Sequence, residues 1–341
     1  MRHNALRMVV SRNRSMTQPL VSVVIIGRNE GERLSRCLRS VYAMSFPQDQ
    51  LEVIYVDSRS ADDSAERARQ QGARTVILPP GPTTAARGRN AGIRLAKGEF
   101  LLLLDGDTLV EPDFLRHGLA FLEAHPDVAV YWGHRRELHP EQSLYNRVFD
   151  LDWVFPCGES AYCGGDAVFR KRVLDQVGLF RDDLIAGEEP ELCTRIRGAG
   201  YRIWHADELM TRHDIAITSL TAYWLRCYRG GYAYAEVADR TQGELFKRES
   251  VRNHIQIAIY LLIPLALALA LGRVGIWLTV VGAVAMVLRT AWRSRWRRAS
   301  AFTTLLYAVH IHLCQLPIWL GQLAYLSNRR RQVAREIIEY K

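Results

Sequence analysis

Residues Leu101-Leu-Leu-Leu-Asp-Gly-Asp-Thr108 decide the reading of this 341-residue chain. Consecutive leucines make a strand buried on both faces. They run directly into Asp105 and Asp107, one residue apart. At the carboxyl end of a buried strand, side chains leave the core and face a crevice, where open α/β sheets bind ligands. Two carboxylates held side by side repel, and a shared divalent cation removes that cost. A cation with free positions can then hold a diphosphate. The plain alternative is a turn with two solvated aspartates, because Asp and Gly are ordinary turn residues.

The neighbouring sequence supplies the sheet. Apolar, β-branched runs at Val21–Ile26, Leu51–Val56 and Thr75–Leu78 read as strands that precede Phe100–Leu104. Helical spacing falls between them, at Glu30–Met44, Ala61–Gln71 and Ala85–Lys97. Such alternation predicts an α/β fold with a mostly parallel sheet flanked by helices. Further on, Phe114–Ala124 reads as a helix, Val128–Trp132 as a strand, Val168–Val177 as a helix, Glu189–Ala199 as a helix and Tyr201–His205 as a strand. Between Gln142 and Cys163 the pattern weakens, with aromatic residues scattered among polar ones.

Composition narrows the class. Charged residues make up 24% and apolar residues 48%, so most of the chain is globular. The net charge of +9 is concentrated in the N-terminal tail, Arg289–Arg298 and Arg329–Arg335. The last two flank apolar segments, which points to anionic lipid headgroups, and no nucleic-acid-binding pattern is present. The six cysteines form no Cys-x-x-Cys pair, so neither a zinc site nor a disulfide framework is expected, and reduced cytosolic thiols are the simplest reading. Residues 1–19 are basic without a long apolar stretch and read as a mobile tail, not a signal peptide.

A composition change near residue 254 divides a domain at 20–250 from an apolar region at 251–341. Ile255–Leu271 and Val274–Leu288 are each shorter than the roughly 20 residues of a comfortable spanning helix. They fit a hairpin through the bilayer, a re-entrant pair or an interfacial pair. Five arginines with Trp292 and Trp296 at Arg289–Arg298 mark a cytosolic membrane interface. Ala301–Leu326 has arginines at both ends, so it either spans or lies in the interface.

Five further motifs carry chemistry. They are Val21-Ser-Val-Val-Ile-Ile-Gly-Arg-Asn-Glu30, Val56-Asp-Ser-Arg-Ser-Ala-Asp62, Ala86-Arg-Gly-Arg-Asn-Ala-Gly92, Cys163-Gly-Gly-Asp166 and Gly187-Glu-Glu-Pro-Glu-Leu-Cys-Thr-Arg195. With Asp105-Gly-Asp107 they resemble the family 2 glycosyltransferases, inverting enzymes with the GT-A fold, over roughly Pro19–His213. The resemblance implies a donor site in which Glu30 lies near the base or ribose and Asp57 bonds a uracil ring, favouring a UDP-sugar. Ser58 stands where the family often has a second acid. It also implies that Arg89 and Asn90 meet the donor diphosphate. Small residues let backbone approach there, and guanidinium or amide groups suit phosphate oxygens.

The resemblance further implies that Asp107, with Asp105, holds Mg²⁺ or Mn²⁺, and that His213 lies near the metal or diphosphate. It implies Glu189, or else Glu188, as the base, although an aspartate is usual at that place. Acids opening a helix are also ordinary dipole partners. Asp166 is expected on the acceptor side, and Tyr223–Arg229 over the donor. The Gln-x-x-Arg-Trp motif of processive synthases is absent, which favours single addition.

The resulting expectation is a cell-membrane glycosyltransferase with its catalytic domain in the cytoplasm. It would transfer sugar with inversion from a nucleotide-diphosphosugar to a saccharide or lipid-linked acceptor, in envelope or exopolysaccharide precursor synthesis. Two rival readings are a catalytically inactive nucleotide-sugar-binding membrane scaffold and a haloacid-dehalogenase-like phosphatase with Asp105 as nucleophile.

Overall fold

A computed structural model describes residues 19–331. The N-terminal tail reading and Arg335 lie outside the described residues. β1 (Val21–Gly27), β2 (Leu51–Asp57), β3 (Arg74–Ile77) and β4 (Phe100–Asp105) run parallel in the order β3-β2-β1-β4. The buried core of β1, β2 and β4 is almost entirely Val, Ile, Leu and Tyr, as strands covered on both faces require. Helices α1 (Glu32–Tyr42), α2 (Ser64–Gln70) and α3 (Ala85–Leu95) make the crossovers.

Beyond β4 the sheet becomes mixed. β5 (Thr108–Val110) follows immediately, then α4 (Phe114–Ala124), β6 (Val128–Glu137), α5 (Leu144–Asp152), β7 (Gly158–Glu159) and β8 (Ala167–Arg170). Next come α6 (Lys171–Val177), α7 (Glu188–Gly198) and β9 (Arg202–His213). β8 lies antiparallel between β4 and β6, while β6 and β9 pair in parallel.

Three of these elements depart from the sequence reading. Val168–Val177 is not one helix, because its first residues form the short buried strand β8 before α6 begins. β9 continues past His205 to His213, where register shifts against β6 break the simple alternation. The weakly patterned stretch after Gln142 contains α5, capped by the Ser143 side chain accepting from the Asn146 N–H.

The chain continues through α8 (Leu220–Arg240), α9 (Lys247–Leu271), α10 (Arg273–Arg293), α11 (Ala301–Leu313) and α12 (Gln315–Arg331). α12 packs tightly on α8. A methyl group on Gly231 would collide with the Ile318 backbone, and one on Gly321 with the Tyr228 backbone. The proposed division at residue 250 falls inside α9.

Three C-terminal stretches, Lys247–Leu271, Arg273–Arg293 and Ala301–Arg331, are long and apolar enough to cross a membrane. With 25 and 21 residues, α9 and α10 reach about 37 and 31 Å at 1.5 Å per residue. Both are long enough for a hydrocarbon core of about 30 Å, and the apolar runs read from the sequence lie inside these longer helices. Leu269 and Trp277 are 79% and 70% exposed, so these helices present apolar surface outward. His312 joins the three helices, bonding Tyr260 of α9 at 2.6 Å and Thr290 of α10 at 3.0 Å.

Candidate active site

β1 and β4 end together, with Ile26 paired to Asp105. A cavity of about 650 Å³ opens at these strand ends. Glu30, Arg89, Asp105, Asp107, Glu188, Glu189 and His213 line it. Its far wall comes from α8 and α11, through Arg226, Arg229, Tyr234 and His310.

Arg89 is the electrostatic centre. It projects from α3, is 2% exposed, and reaches Glu188 at 2.7 Å, Asp105 at 2.9 Å and Glu189 at 3.0 Å. Burial alone would weaken its charge, but Glu189, Asp105 and Glu188 raise its pKa instead. Gly165 permits this crowding, since a Cβ there would stand 2.6 Å from Arg89 Nη2 and 3.2 Å from Glu189 Oε1.

Asp105 and Asp107 then diverge. Asp105 is bound by Arg89, with Arg135 at 3.6 Å. Burial would raise its pKa, yet the two guanidiniums hold it below the usual carboxylate range. Asp107 instead meets His213, with Oδ1 and Nε2 3.2 Å apart. Antiparallel pairing of β5 with β9 sets His213 opposite Thr108, and the Asp214 N–H donates to the Asp107 carbonyl. Ligand atoms of Asp105, Asp107 and His213 all lie within 4.8 Å of one another. Two carboxylates and an imidazole suit a divalent cation, so these residues fit the expected metal.

α7 starts at Gly187 in the left-handed region, with φ +82°. Its first turn carries Glu188 and Glu189, both lining the cavity. Burial, reinforced by Glu188 and opposed by Arg89, pushes Glu189 up to about 7. Such a carboxyl accepts a proton near neutral pH. Glu30 also lines the cavity and pairs with Arg33 at 3.0 Å.

Three expected contact residues are committed elsewhere. Asp57 accepts from Tyr55 Oη, Ser60 Oγ and the Ser60 N–H, and Ser58, not Asp57, lines the cavity. Asn90 is 1% exposed and ties α3 to Phe180 and Asp182, so its amide is spent on that loop and not on phosphate. Asp166 is 0% exposed. It accepts from the Asp105 N–H and Thr211 and pairs with Arg135 at 2.8 Å, so it braces Asp105 and does not face an acceptor.

Sequence reasoning missed Arg135, Asp152 and His310. Asp152 pairs with His310 at 3.2 Å, and His310 bonds Tyr223 at 2.9 Å, which joins α5, α8 and α11 at the cavity wall. The Tyr223–Arg229 segment is helical, and its Arg226 and Arg229 line the cavity.

The family model described as glycosyl transferase family 2 matches residues 22–178. Residues 22–178 form a glycosyl transferase family 2 domain. Among curated relatives, the chain is 27% identical over 206 residues to glycosyltransferase AglE of Haloferax volcanii, covering 58% of this chain and 67% of AglE. It is 22% identical over 203 residues to the probable glycosyltransferase YdaM of Bacillus subtilis, covering 54% of this chain and 48% of YdaM.

Two solved structures share the fold. Mannosyltransferase PcManGT from Pyrobaculum calidifontis, solved with GDP-Man and Mn²⁺, has a TM-score of 0.62 at 21% identity, covering 95% of this chain and 93% of that one. S. aureus TarS residues 1–349 gives 0.51 at 17% identity, covering 94% and 95%. The glycosyltransferase domain is thus of the GT-A type, followed by helices able to cross a membrane. The phosphatase reading has no support: Asp105 follows three strands and is held by two arginines, an arrangement unsuited to a free nucleophile.

Proposed function

We propose that the protein transfers a sugar from a nucleotide-diphosphosugar to an acceptor hydroxyl with inversion at the anomeric carbon. The convergence of Glu189 with Asp105, Asp107 and His213 on one cavity carries this reading. Glu189 takes the acceptor proton as the acceptor oxygen bonds to the anomeric carbon and the bond to the diphosphate oxygen breaks. Arg89 positions Glu189, and Glu188 braces the same guanidinium.

Asp107 and His213, with Asp105 beside them, are the residues that would hold Mg²⁺ or Mn²⁺. When bound, the cation would supply Lewis-acid neutralisation of charge on the nucleoside diphosphate. Nothing at Asp57 favours uracil, because its oxygens already accept internal hydrogen bonds.

The acceptor arrives along the wall formed by α8 and α11. Arg226, Arg229 and the long apolar helices favour a lipid-linked acceptor, as in envelope or exopolysaccharide precursor synthesis. Arg297 donates to the Leu151 carbonyl of α5, so the arginine-rich turn after α10 touches the catalytic domain. Positive charge favours the cytosolic side of a membrane, which supports a catalytic domain facing the cytoplasm.

The test is cleavage of a panel of nucleotide-diphosphosugars by detergent-solubilised protein with Mn²⁺ or Mg²⁺, beside Asp107→Ala. Metal-dependent cleavage of one donor, lost in the variant, supports the reading. Absence of both cleavage and metal-dependent donor binding across the panel refutes it.

A further inference from the structure

A second cluster of metal-ligating side chains belongs to no part of the transfer site. His134 of β6, Cys157 just before β7, and His205 of β9 offer ligand atoms within 4.8 Å of one another. Pairing of Gly158 with His205 brings the cysteine across from the histidine. We propose that His134, Cys157 and His205, with Asp207 as fourth ligand, form a binding site for zinc or a similar thiophilic divalent cation.

The geometry supports this assignment. In a tetrahedral site with Zn–S of about 2.3 Å and Zn–N of about 2.0–2.1 Å, sulfur and nitrogen stand about 3.6 Å apart. Cys157 Sγ and His134 Nε2 are 3.7 Å apart. Asp207 Oδ1 hydrogen-bonds the same nitrogen at 2.9 Å and Asp207 lies within reach of Cys157, so it would move outward to about 3.4 Å from that nitrogen as a fourth tetrahedral ligand.

His205 supplies an independent observation. It is 0% exposed, its Nδ1 is bonded to the Pro156 carbonyl at 2.8 Å, and its Nε2 is buried without a hydrogen-bond partner. A histidine whose one nitrogen is fixed by a backbone carbonyl has the other oriented for a metal. Trp132 stacks on the ring at 4.1 Å and holds its plane. One thiolate, two imidazoles and a carboxylate suit zinc and not Mg²⁺ or Ca²⁺, which take oxygen ligands.

The expectation that scattered cysteines make no zinc site is thereby revised, since the ligands meet only through the β6–β9 and β7–β9 pairings. The cation would pin the segment after α5. That segment begins with Trp153, whose ring lies 5.1 Å from His213 and 5.6 Å from the Arg135 guanidinium.

Full-length protein in detergent would be loaded with ZnCl₂, desalted, and its metal content measured by mass spectrometry. The expected result is about one zinc per chain in wild type and in Asp107→Ala. Cys157→Ser and His205→Ala should weaken binding by more than about 100-fold, because losing even an outer-shell partner costs about 10–100-fold. Co²⁺ loading of wild type should give tetrahedral bands with thiolate charge transfer, a readout independent of how the variants fold. Failure of wild type to retain zinc, undiminished zinc in Cys157→Ser and His205→Ala, or a Co²⁺ spectrum without the thiolate band would overturn the site.

Discussion

Glu189→Gln is the substitution that separates chemistry from architecture at this site. The amide keeps the size of the side chain and removes its ability to take a proton. Arg89 retains Glu188 at 2.7 Å and Asp105 at 2.9 Å, so its buried charge stays compensated. Removing one of three anions also relieves repulsion from Glu188, one of the causes that raise Glu189. Stability should therefore change by less than about 1 kcal/mol, the scale of an ordinary hydrogen bond. A positioned general base contributes about 10²–10⁴-fold, so the barrier should rise by about 2.7–5.4 kcal/mol.

The assay is initial-rate sugar transfer at saturating donor and metal, with donor binding measured separately. Wild type should lose kcat/KM as pH falls through about 7, because the base is protonated below its folded pKa. The residual rate of Glu189→Gln should lack that limb. Glu188→Gln should retain the limb, because Glu189 keeps its carboxylate and its contact with Arg89. A Glu189→Gln enzyme within tenfold of wild type (about 1.4 kcal/mol), or a larger loss in Glu188→Gln, would refute the assignment.

Arg89→Leu leaves three carboxylates without their guanidinium, and breaking a buried pair costs about 3–5 kcal/mol. At about 2–4 °C per kcal/mol, melting followed by tryptophan fluorescence should fall by roughly 6–20 °C, and an unchanged melt would count against Arg89 as the centre of the cluster. Glu137→Gln should destabilise by about 1–3 kcal/mol at pH 5, because Glu137 accepts from the His139 N–H, Asn146 and the Ile215 N–H, and an amide nitrogen must face one of those donors. Burial pushes Glu137 up to about 7, so its contribution is complete below the unfolded value and lost as pH rises through 7. The wild-type advantage over Glu137→Gln should accordingly shrink from pH 5 to pH 8, and a constant difference in melting temperature would contradict it. Adding Mn²⁺ to metal-free protein at pH 7 should release protons, seen as a buffer-dependent heat in titration calorimetry. Equal heats in buffers of different ionisation enthalpy would argue against a cation close to the raised Glu189 carboxyl.

The parallel half of the fold was legible because its buried strands are mostly apolar runs separated by stretches of helical spacing. β8 was not, because four buried residues abutting a helix share that helix's apolar texture. α5 carried a usable signal in Ser143 followed by Leu144, Val148 and Leu151, which the aromatic residues obscured. Motifs located the carboxylates but not their partners. Nothing local indicates that Arg135 on β6 reaches Asp166 and Asp105, or that Asn90 faces the 180–182 loop and not the cavity. Those contacts follow from strand order. The same holds for His134, Cys157 and His205, far apart in sequence and adjacent only once β7 pairs with β9.

The cavity also relates the C-terminal helices to the chemistry. Strand ends and the start of α7 fill one side of it, where a donor diphosphate would face Asp107 and His213. The opposite side is built from α8 and α11, so the C-terminal helices wall the same cavity as the strand ends. Gly231 and Gly321 bring α8 and α12 into backbone contact, and Asp152, His310 and Tyr223 join α5 to both α8 and α11. A wall held by such contacts keeps a fixed position relative to Glu189. On the proposed reading, the hydroxyl to be deprotonated is presented from the membrane side, and its distance from the base is set by helix packing and not by a mobile lid.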